Sequence, residues 1–223
     1  MEDARAYEEL RVGFTAAVSH ELRTPLARLL ALLDTASLPG ADRDTLLSQA
    51  RAQVEEMSEL VDDVLFLSEL ESGREVVALG STPALPVLEE VRDRLADSAE
   101  RADIGLVVDA PREAELPLRR RMLYIVAENL AENAIRYAGT GATLTLVARD
   151  GVLEANDDGR GIEEDDLPRL FERFYRSDRA RSSRGTGLGL AIVKHVVVSA
   201  GGEISAAGGP GRGLQIRCTF PAP

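Results

Sequence analysis

Leu10, Phe14, Val18, Leu22, Leu26, Leu29 and Leu33 recur three or four positions apart near the start of the chain. That spacing puts them on one stripe of a helix. After a turn signal in Ser37-Leu38-Pro39-Gly40-Ala41-Asp42, the pattern resumes as Leu47, Ala50, Val54, Met57, Val61 and Val64. A strict three-four alternation of this kind is a coiled-coil seam. Two such helices enclose little apolar volume by themselves. The economical solution is an antiparallel hairpin that pairs with a second copy as a four-helix bundle. A homodimer is therefore expected, with a first domain over residues 1–72.

Beyond Ser72-Gly73 the signal changes. Residues 73–83, ending in Gly80-Ser81-Thr82-Pro83, read as a hinge linker. Residues 84–223 mix both periodicities. Helices are expected over 85–101, 119–137 and 188–200. Strands are expected over 105–108, 142–148 and 152–155 around Asp150-Gly151, and over 203–206 and 214–220 as a closing hairpin. Residues 159–187 show no period and leave room for one short helix. The fold class is α+β: a helical hairpin forming a dimeric bundle, then an α/β sandwich.

Composition narrows the function. The 223 residues carry a formal charge of -12, which argues against nucleic acid as a partner, because phosphate contacts along a backbone need dense Lys and Arg. A local basic pocket for a small phosphate ligand remains open. The single cysteine, Cys218, makes no intrachain disulfide and reads as a small core residue of a strand. No apolar run reaches the length of a membrane span.

Ser19-His20-Glu21-Leu22-Arg23-Thr24-Pro25-Leu26 carries the chemistry of the first domain. At about 100° per residue, His20 lies on the opposite side of the helix from the apolar stripe and faces water. An exposed imidazole in its neutral form can act as a nucleophile. Glu21 is adjacent and suits a base, or is a solvated helix carboxylate. Thr24 lies one turn on, on the face of His20. Pro25 removes a backbone bond to Glu21, so a bend beside His20 is expected.

Four segments of the second domain belong together. Asn129 and Asn133 share a helix face, with Arg136 and Tyr137 a turn further. Amide oxygens suit Mg²⁺, which keeps most of its waters. Asp157-Asp158-Gly159-Arg160-Gly161 follows a strand, where a carboxylate can accept an amino hydrogen bond and glycines let a flat ligand approach. Leu170-Phe171-Glu172-Arg173-Phe174-Tyr175-Arg176-Ser177-Asp178 is rich in aromatics. Gly185-Thr186-Gly187-Leu188-Gly189-Leu190 opens a helix, where backbone N–H groups bind phosphate. Taken singly, these are also compatible with surface helix, turn and packing roles. No G-x-x-x-x-G-K-[ST] occurs, and the glycine spacing is not a dinucleotide fingerprint.

In this order the segments resemble the catalytic core of a sensor histidine kinase of two-component signalling. Ser19 to Leu26 is similar to the H-box of the dimerisation and histidine-phosphotransfer domain. Residues 84–223 resemble the ATP-binding domain shared with gyrase, the Hsp90 chaperone and MutL. Asn129 to Tyr137 stands for its N-box, Asp157 to Gly161 for the G1 box, Phe171 to Arg176 for the F-box and Gly185 to Leu190 for the G2 box. The resemblance implies that His20 is the phosphoacceptor, Glu21 the base, and Thr24 a positioner of water during dephosphorylation of a regulator. It also implies ATP and Mg²⁺ as cofactors, with Asn133 and Asn129 on the metal and Arg136 on phosphate. Tyr137 would pack on adenine, whose amino group Asp157 reads beside Gly159 and Gly161. Phe174 and Arg176 would border the nucleotide, Arg176 reaching the γ-phosphate. Gly185, Thr186, Gly187, Leu188 and Gly189 would shape the lid.

Hydrolysing members of that wider group carry a general-base glutamate four residues before the Mg²⁺ asparagine. Here that position is Asn129, and Glu128 lies about 100° round the helix. Phosphoryl transfer to histidine is thus the implied reaction, with an aspartate in the receiver domain of a response regulator as next acceptor. A protein acting mainly as a regulator phosphatase, and a non-enzymatic dimeric scaffold, are the alternatives. Such kinases usually sense through upstream domains, so the chain is expected to be the cytoplasmic part of a membrane-anchored sensor. Its membrane association would come only through an upstream region absent from this sequence. Lys194 and His195 match no motif position and read as surface residues.

Overall fold

The computed structural model describes residues 2–72, 80–149, 151–177 and 185–221, with side chains from Thr15 onward. The chain divides into two compact units, residues 1–66 and, for the most part, 67–223.

The first unit is built on α1 (Glu2–Ala36) and α2 (Arg43–Glu71). The turn between them uses Gly40 at φ +80°, a left-handed conformation that a β-carbon would penalise. Asp42 caps α2: its carboxylate accepts the Thr45 backbone N–H at 3.2 Å and the Thr45 hydroxyl at 2.7 Å. Those bonds favour the charged form and hold the Asp42 carboxyl below its usual range. α1 continues through Pro25, whose ring is buried.

Burial splits the apolar pattern of α2 into two rows. Ala50, Met57 and Val64, seven apart, turn inward, while Leu47, Val54 and Val61 stay exposed. On α1, Leu22 and Leu29 are half-buried, whereas Leu26, Leu30 and Leu33 are exposed. A helix with one neighbour needs one apolar row. These helices carry two. Leu10 and Phe14 of the expected stripe lie where side chains are not described.

The second unit contains β1 (Thr82–Pro83), α3 (Ala84–Ala102), β2 (Gly105–Asp109), β3 (Glu115–Leu116), α4 (Arg120–Tyr137), β4 (Thr143–Arg149) and β5 (Val152–Asp157). A 3₁₀ turn (Glu164–Arg169), α5 (Gly189–Ser199), β6 (Glu203–Gly208) and β7 (Leu214–Thr219) follow. The five-stranded sheet runs β2-β4-β5-β7-β6, with β2 parallel to β4 and every other pair antiparallel. Leu144, Leu146, Leu153, Ile216 and Cys218 alternate with half-buried or exposed neighbours, so one face of the sheet is closed. Val87, Leu88 and Val91 of α3, Leu123 and Val126 of α4, and Val193 and Val196 of α5 are buried within the same unit. A one-residue slip of β4 would turn Leu144 and Leu146 outward, at roughly 1.5–3 kcal/mol each, which fixes the register. Burial pushes the Cys218 thiol up to about 12.

One local difference concerns the expected hinge. Thr82 and Pro83 pair with Leu116 and Glu115, and the Thr82 hydroxyl donates to Leu118 O at 2.6 Å. Those two residues are thus tied into the second unit. A two-residue ladder has no periodicity for sequence to reveal. Residues 73–79 of the linker, Asp150 in the β4–β5 turn and Asp178 lie outside the described residues.

Candidate functional site

On α1 the imidazole of His20 is exposed, and among the described residues nothing hydrogen-bonds it. Thr24 is exposed one turn on, and Glu21 is half-buried. The Glu21 carboxylate, on the adjacent position, is not hydrogen-bonded to the imidazole. What α1 presents to solvent is a nucleophile-sized group with its lone pair unspent.

In the second unit the site gathers at the C-terminal end of β5, α4 and the start of α5. Asp157 ends β5, and its Oδ1 accepts two backbone N–H groups, Gly159 at 3.0 Å and Leu214 at 3.3 Å. Burial is the main cause that raises its carboxyl above the usual range, the two N–H bonds opposing and the nearby Asp158 adding. With Oδ1 spent, Oδ2 is the acceptor left for a ligand. Asp158 turns away, its Oδ1 accepting the Thr143 N–H at 2.6 Å.

Gly159 is packed to contact: a β-carbon there would stand 2.2 Å from Ala138 O. Arg160 closes the same seam, its N–H donating to Ala138 O at 2.8 Å and its Nε to Tyr137 O at 2.6 Å. The end of α4, with half-buried Tyr137, is thereby stitched to the loop after β5. Gly161, at φ +68°, would place a β-carbon 2.0 Å from Gly209 O.

On α4, Asn133 is half-buried and no described residue hydrogen-bonds its amide. Asn129, one turn earlier, donates from Nδ2 to Ile125 O at 2.8 Å, and a β-carbon on Gly189 would lie 2.5 Å from its Oδ1. Gly189 is therefore where α5 begins against the asparagine face. Arg136 is exposed, 4.0 Å from Glu132. Phe174 adopts φ +60°, unusual for an aromatic residue, and its N–H donates to Gly187 O at 3.0 Å. Gly187, at φ +71°, would bring a β-carbon within 2.9 Å of the Phe174 backbone. The aromatic segment and the glycine-rich segment thus interlock by backbone. Gly185 and Leu188 are buried, and Thr186 and Arg176 half-buried.

Residues 10–73 match the His Kinase A (phospho-acceptor) domain. Residues 119–223 match the histidine kinase-, DNA gyrase B- and HSP90-like ATPase. The sensor-like histidine kinase SenX3 of Mycolicibacterium smegmatis is 34% identical over 223 residues, 96% of this chain and 58% of SenX3. The chain belongs to the two-component sensor histidine kinases.

Among solved structures, the Acinetobacter baumannii histidine kinase AdeS is 27% identical with a TM-score of 0.73, over 90% of this chain and 97% of AdeS. Histidine kinase ThkA, solved in complex with the response regulator protein TrrA, shares the fold at a TM-score of 0.77 and 21% identity, over 100% of this chain and 65% of ThkA. The chain spans little more than half the length of its SenX3 relatives. No helix among the described residues is long and apolar enough to cross a membrane.

For a sensor histidine kinase the fate of Glu128 matters. Its carboxylate accepts from Arg94 at 2.7 Å and from the Tyr124 hydroxyl at 3.3 Å. It is engaged on the α3 side of α4. Lys194 is exposed and His195 half-buried. Sequence reasoning missed the Leu214 N–H and Gly213, which support Asp157 from a distant turn. The glycine-rich run Gly208-Gly209-Pro210-Gly211-Arg212-Gly213, between the two strands of the closing hairpin, is the available signal.

Proposed function

We propose that this chain is an ATP-dependent kinase core that phosphorylates His20 and passes the phosphoryl group to an aspartate in the receiver domain of a response regulator. One observation carries the reading: an exposed imidazole, which no described residue hydrogen-bonds, shares a chain with an ATPase-type domain whose hydrolytic position holds the amide of Asn129, not a carboxylate. ATP that finds no water-activating base can await a histidine.

In the transfer, an imidazole nitrogen of His20 forms a bond to the γ-phosphorus as the bond to the β–γ bridging oxygen breaks, and ADP leaves with that electron pair. Catalysis of this kind is positioning and charge neutralisation. Glu21 takes the imidazole proton. Asp157 accepts from the adenine amino group through Oδ2, Tyr137 packs on the base, and Gly159 and Gly161 let it approach. Arg136, Phe174, Arg176 and the segment Gly185, Thr186, Gly187, Leu188 and Gly189 surround the phosphates. The amide oxygen of Asn133, which no described residue hydrogen-bonds, fits a Mg²⁺ ligand, with Asn129 beside it. Mg²⁺, when bound, neutralises phosphate charge. Asn133 and Asn129 hold their amides on one helix face to receive it.

The domain limits proposed are 1–72 and 84–223, with 73–83 as linker. A homodimer is supported by the outward rows Leu26, Leu30, Leu33 and Leu47, Val54, Val61. A regulator partner is supported by the ThkA–TrrA complex. Placement as the cytoplasmic part of a membrane-anchored sensor is supported by the length of the relatives that the chain leaves uncovered. Exposed Thr24, one turn from His20, favours a second activity, dephosphorylation of the regulator.

Phosphotransfer profiling tests the proposal. Chain labelled with Mg-[γ-³²P]ATP is mixed with a panel of receiver domains. Label should move within minutes to an aspartate of one or a few receivers. Release of inorganic phosphate with no phosphohistidine preceding it would replace the kinase reading with hydrolysis.

A further inference from the structure

The turn between β6 and β7 lies more than 50 residues along the chain from Asp157, yet it is built into that residue. Gly213 sits at φ +69°, and a β-carbon there would lie 1.9 Å from the Asp157 carbonyl oxygen. Its N–H donates to Gly159 O at 3.0 Å, and the next N–H, from Leu214, donates to Asp157 Oδ1. The carboxylate is therefore held from two sides, by its own turn and by this one. Two fixed donors on one oxygen set the rotation of the whole group. They decide which oxygen is left for a base.

We infer that Gly213 is a positioning residue for nucleotide-base selection, acting through the Leu214 N–H on Asp157. The inference rests on the proposal that Asp157 reads the base. A carboxylate oxygen accepts from the exocyclic amino group of adenine and meets the O6 acceptor of guanine with repulsion. Discrimination of that kind requires the acceptor to be fixed, because a carboxylate free to turn recovers a tolerable contact with either base. The β6–β7 turn supplies the fixing, and close backbone approach is what restricts position 213 to glycine.

Gly211 provides a matched control. It has nearly the same conformation, φ +70°, but a β-carbon there meets nothing within 4 Å. Gly211→Ala and Gly213→Ala therefore carry the same left-handed strain and differ in whether the new carbon collides with the Asp157 backbone. Gly208→Ala is a second route. Its β-carbon would lie 2.5 Å from Gly213 O, and the three atoms nearest to it belong to Gly213 and Leu214 rather than to Asp157.

The test is titration of the full chain with Mg-ATP and with Mg-GTP for wild type, Gly211→Ala, Gly213→Ala, Gly208→Ala and Asp157→Asn, with thermal melting of each. Gly213→Ala should lower the ATP-to-GTP affinity ratio by about tenfold or more, the scale of one misplaced buried hydrogen bond. Gly208→Ala should lower it in the same direction, and Gly211→Ala should leave it within about twofold. If Gly213→Ala does not fold, Gly208→Ala against Gly211→Ala decides. A ratio unchanged in the turn variants, with Asp157→Asn losing ATP, overturns the role of Gly213. A ratio unchanged in Asp157→Asn overturns the base-reading assignment itself.

Discussion

Replacing Asp157 by asparagine separates binding from stability, because the two should move in opposite directions. Two backbone N–H groups, from Gly159 and Leu214, converge on Oδ1. An asparagine must offer its one oxygen to those donors, so its NH₂ takes the place of Oδ2. The adenine amino group, itself a donor, then faces a donor. The variant loses a charge-assisted bond of about 1.5–3 kcal/mol and leaves a buried donor unsatisfied at about 1–3 kcal/mol. Together these are roughly 2.5–6 kcal/mol, a loss of ATP affinity from about seventyfold to more than ten thousandfold.

Stability should behave otherwise. Burial holds the Asp157 carboxyl above its unfolded value, so the folded state binds its proton more tightly. That group's contribution to stability is largest below the unfolded pKa and falls as pH rises through the folded one. At neutral pH the buried charge is a net burden that asparagine removes while keeping both backbone bonds. The ligand-free variant should melt at or above the wild-type temperature at pH 7. Calorimetric titration with a non-hydrolysable ATP analogue, beside thermal melts at pH 7, measures both. An affinity loss below about fivefold would refute the locked-oxygen argument. A large drop in melting temperature would refute the claim that the carboxylate is kept for binding at the expense of stability.

The dimer is tested by Val54→Asp with Val61→Asp. These positions are 49% and 43% exposed in the single chain, and covering such half-exposed side chains gains roughly 1 kcal/mol apiece. That gain is comparable with the cost of association, so four buried carboxylates at several kcal/mol each should leave monomers in sedimentation. A stable dimer of the double variant would sink the bundle. Cys218, with its thiol near 12, should resist a thiol reagent at pH 8 in the native protein and react on denaturation; fast native labelling would contradict its place inside the sheet.

Much of this architecture was legible because side chains carry it. The three-four rows marked both long helices, and alternation marked β4, β5 and β7. The H, N, G1, F and G2 segments marked the candidate sites. Other features lie in backbone contacts that leave no side-chain signature. The β1–β3 ladder spans two residues on each side. Phe174 shows nothing in its identity of its left-handed φ, which depends on Gly187 thirteen residues on. Likewise, Asp157 does not announce its second donor, fifty-seven residues away. The heptad seam of α2 also reads as one stripe, since sequence gives spacing and not how many neighbours a helix will have. Only burial separates Ala50, Met57 and Val64 from Leu47, Val54 and Val61.

The central claim is that the γ-phosphoryl group of ATP ends on the imidazole of His20. The direct measurement is incubation of the chain with Mg-[γ-³²P]ATP, followed by acid and base treatment and by the same reaction on His20→Gln. A phosphoprotein that is labile in acid, stable in base and absent from His20→Gln is the expected result. Label retained at full level in His20→Gln would contradict it.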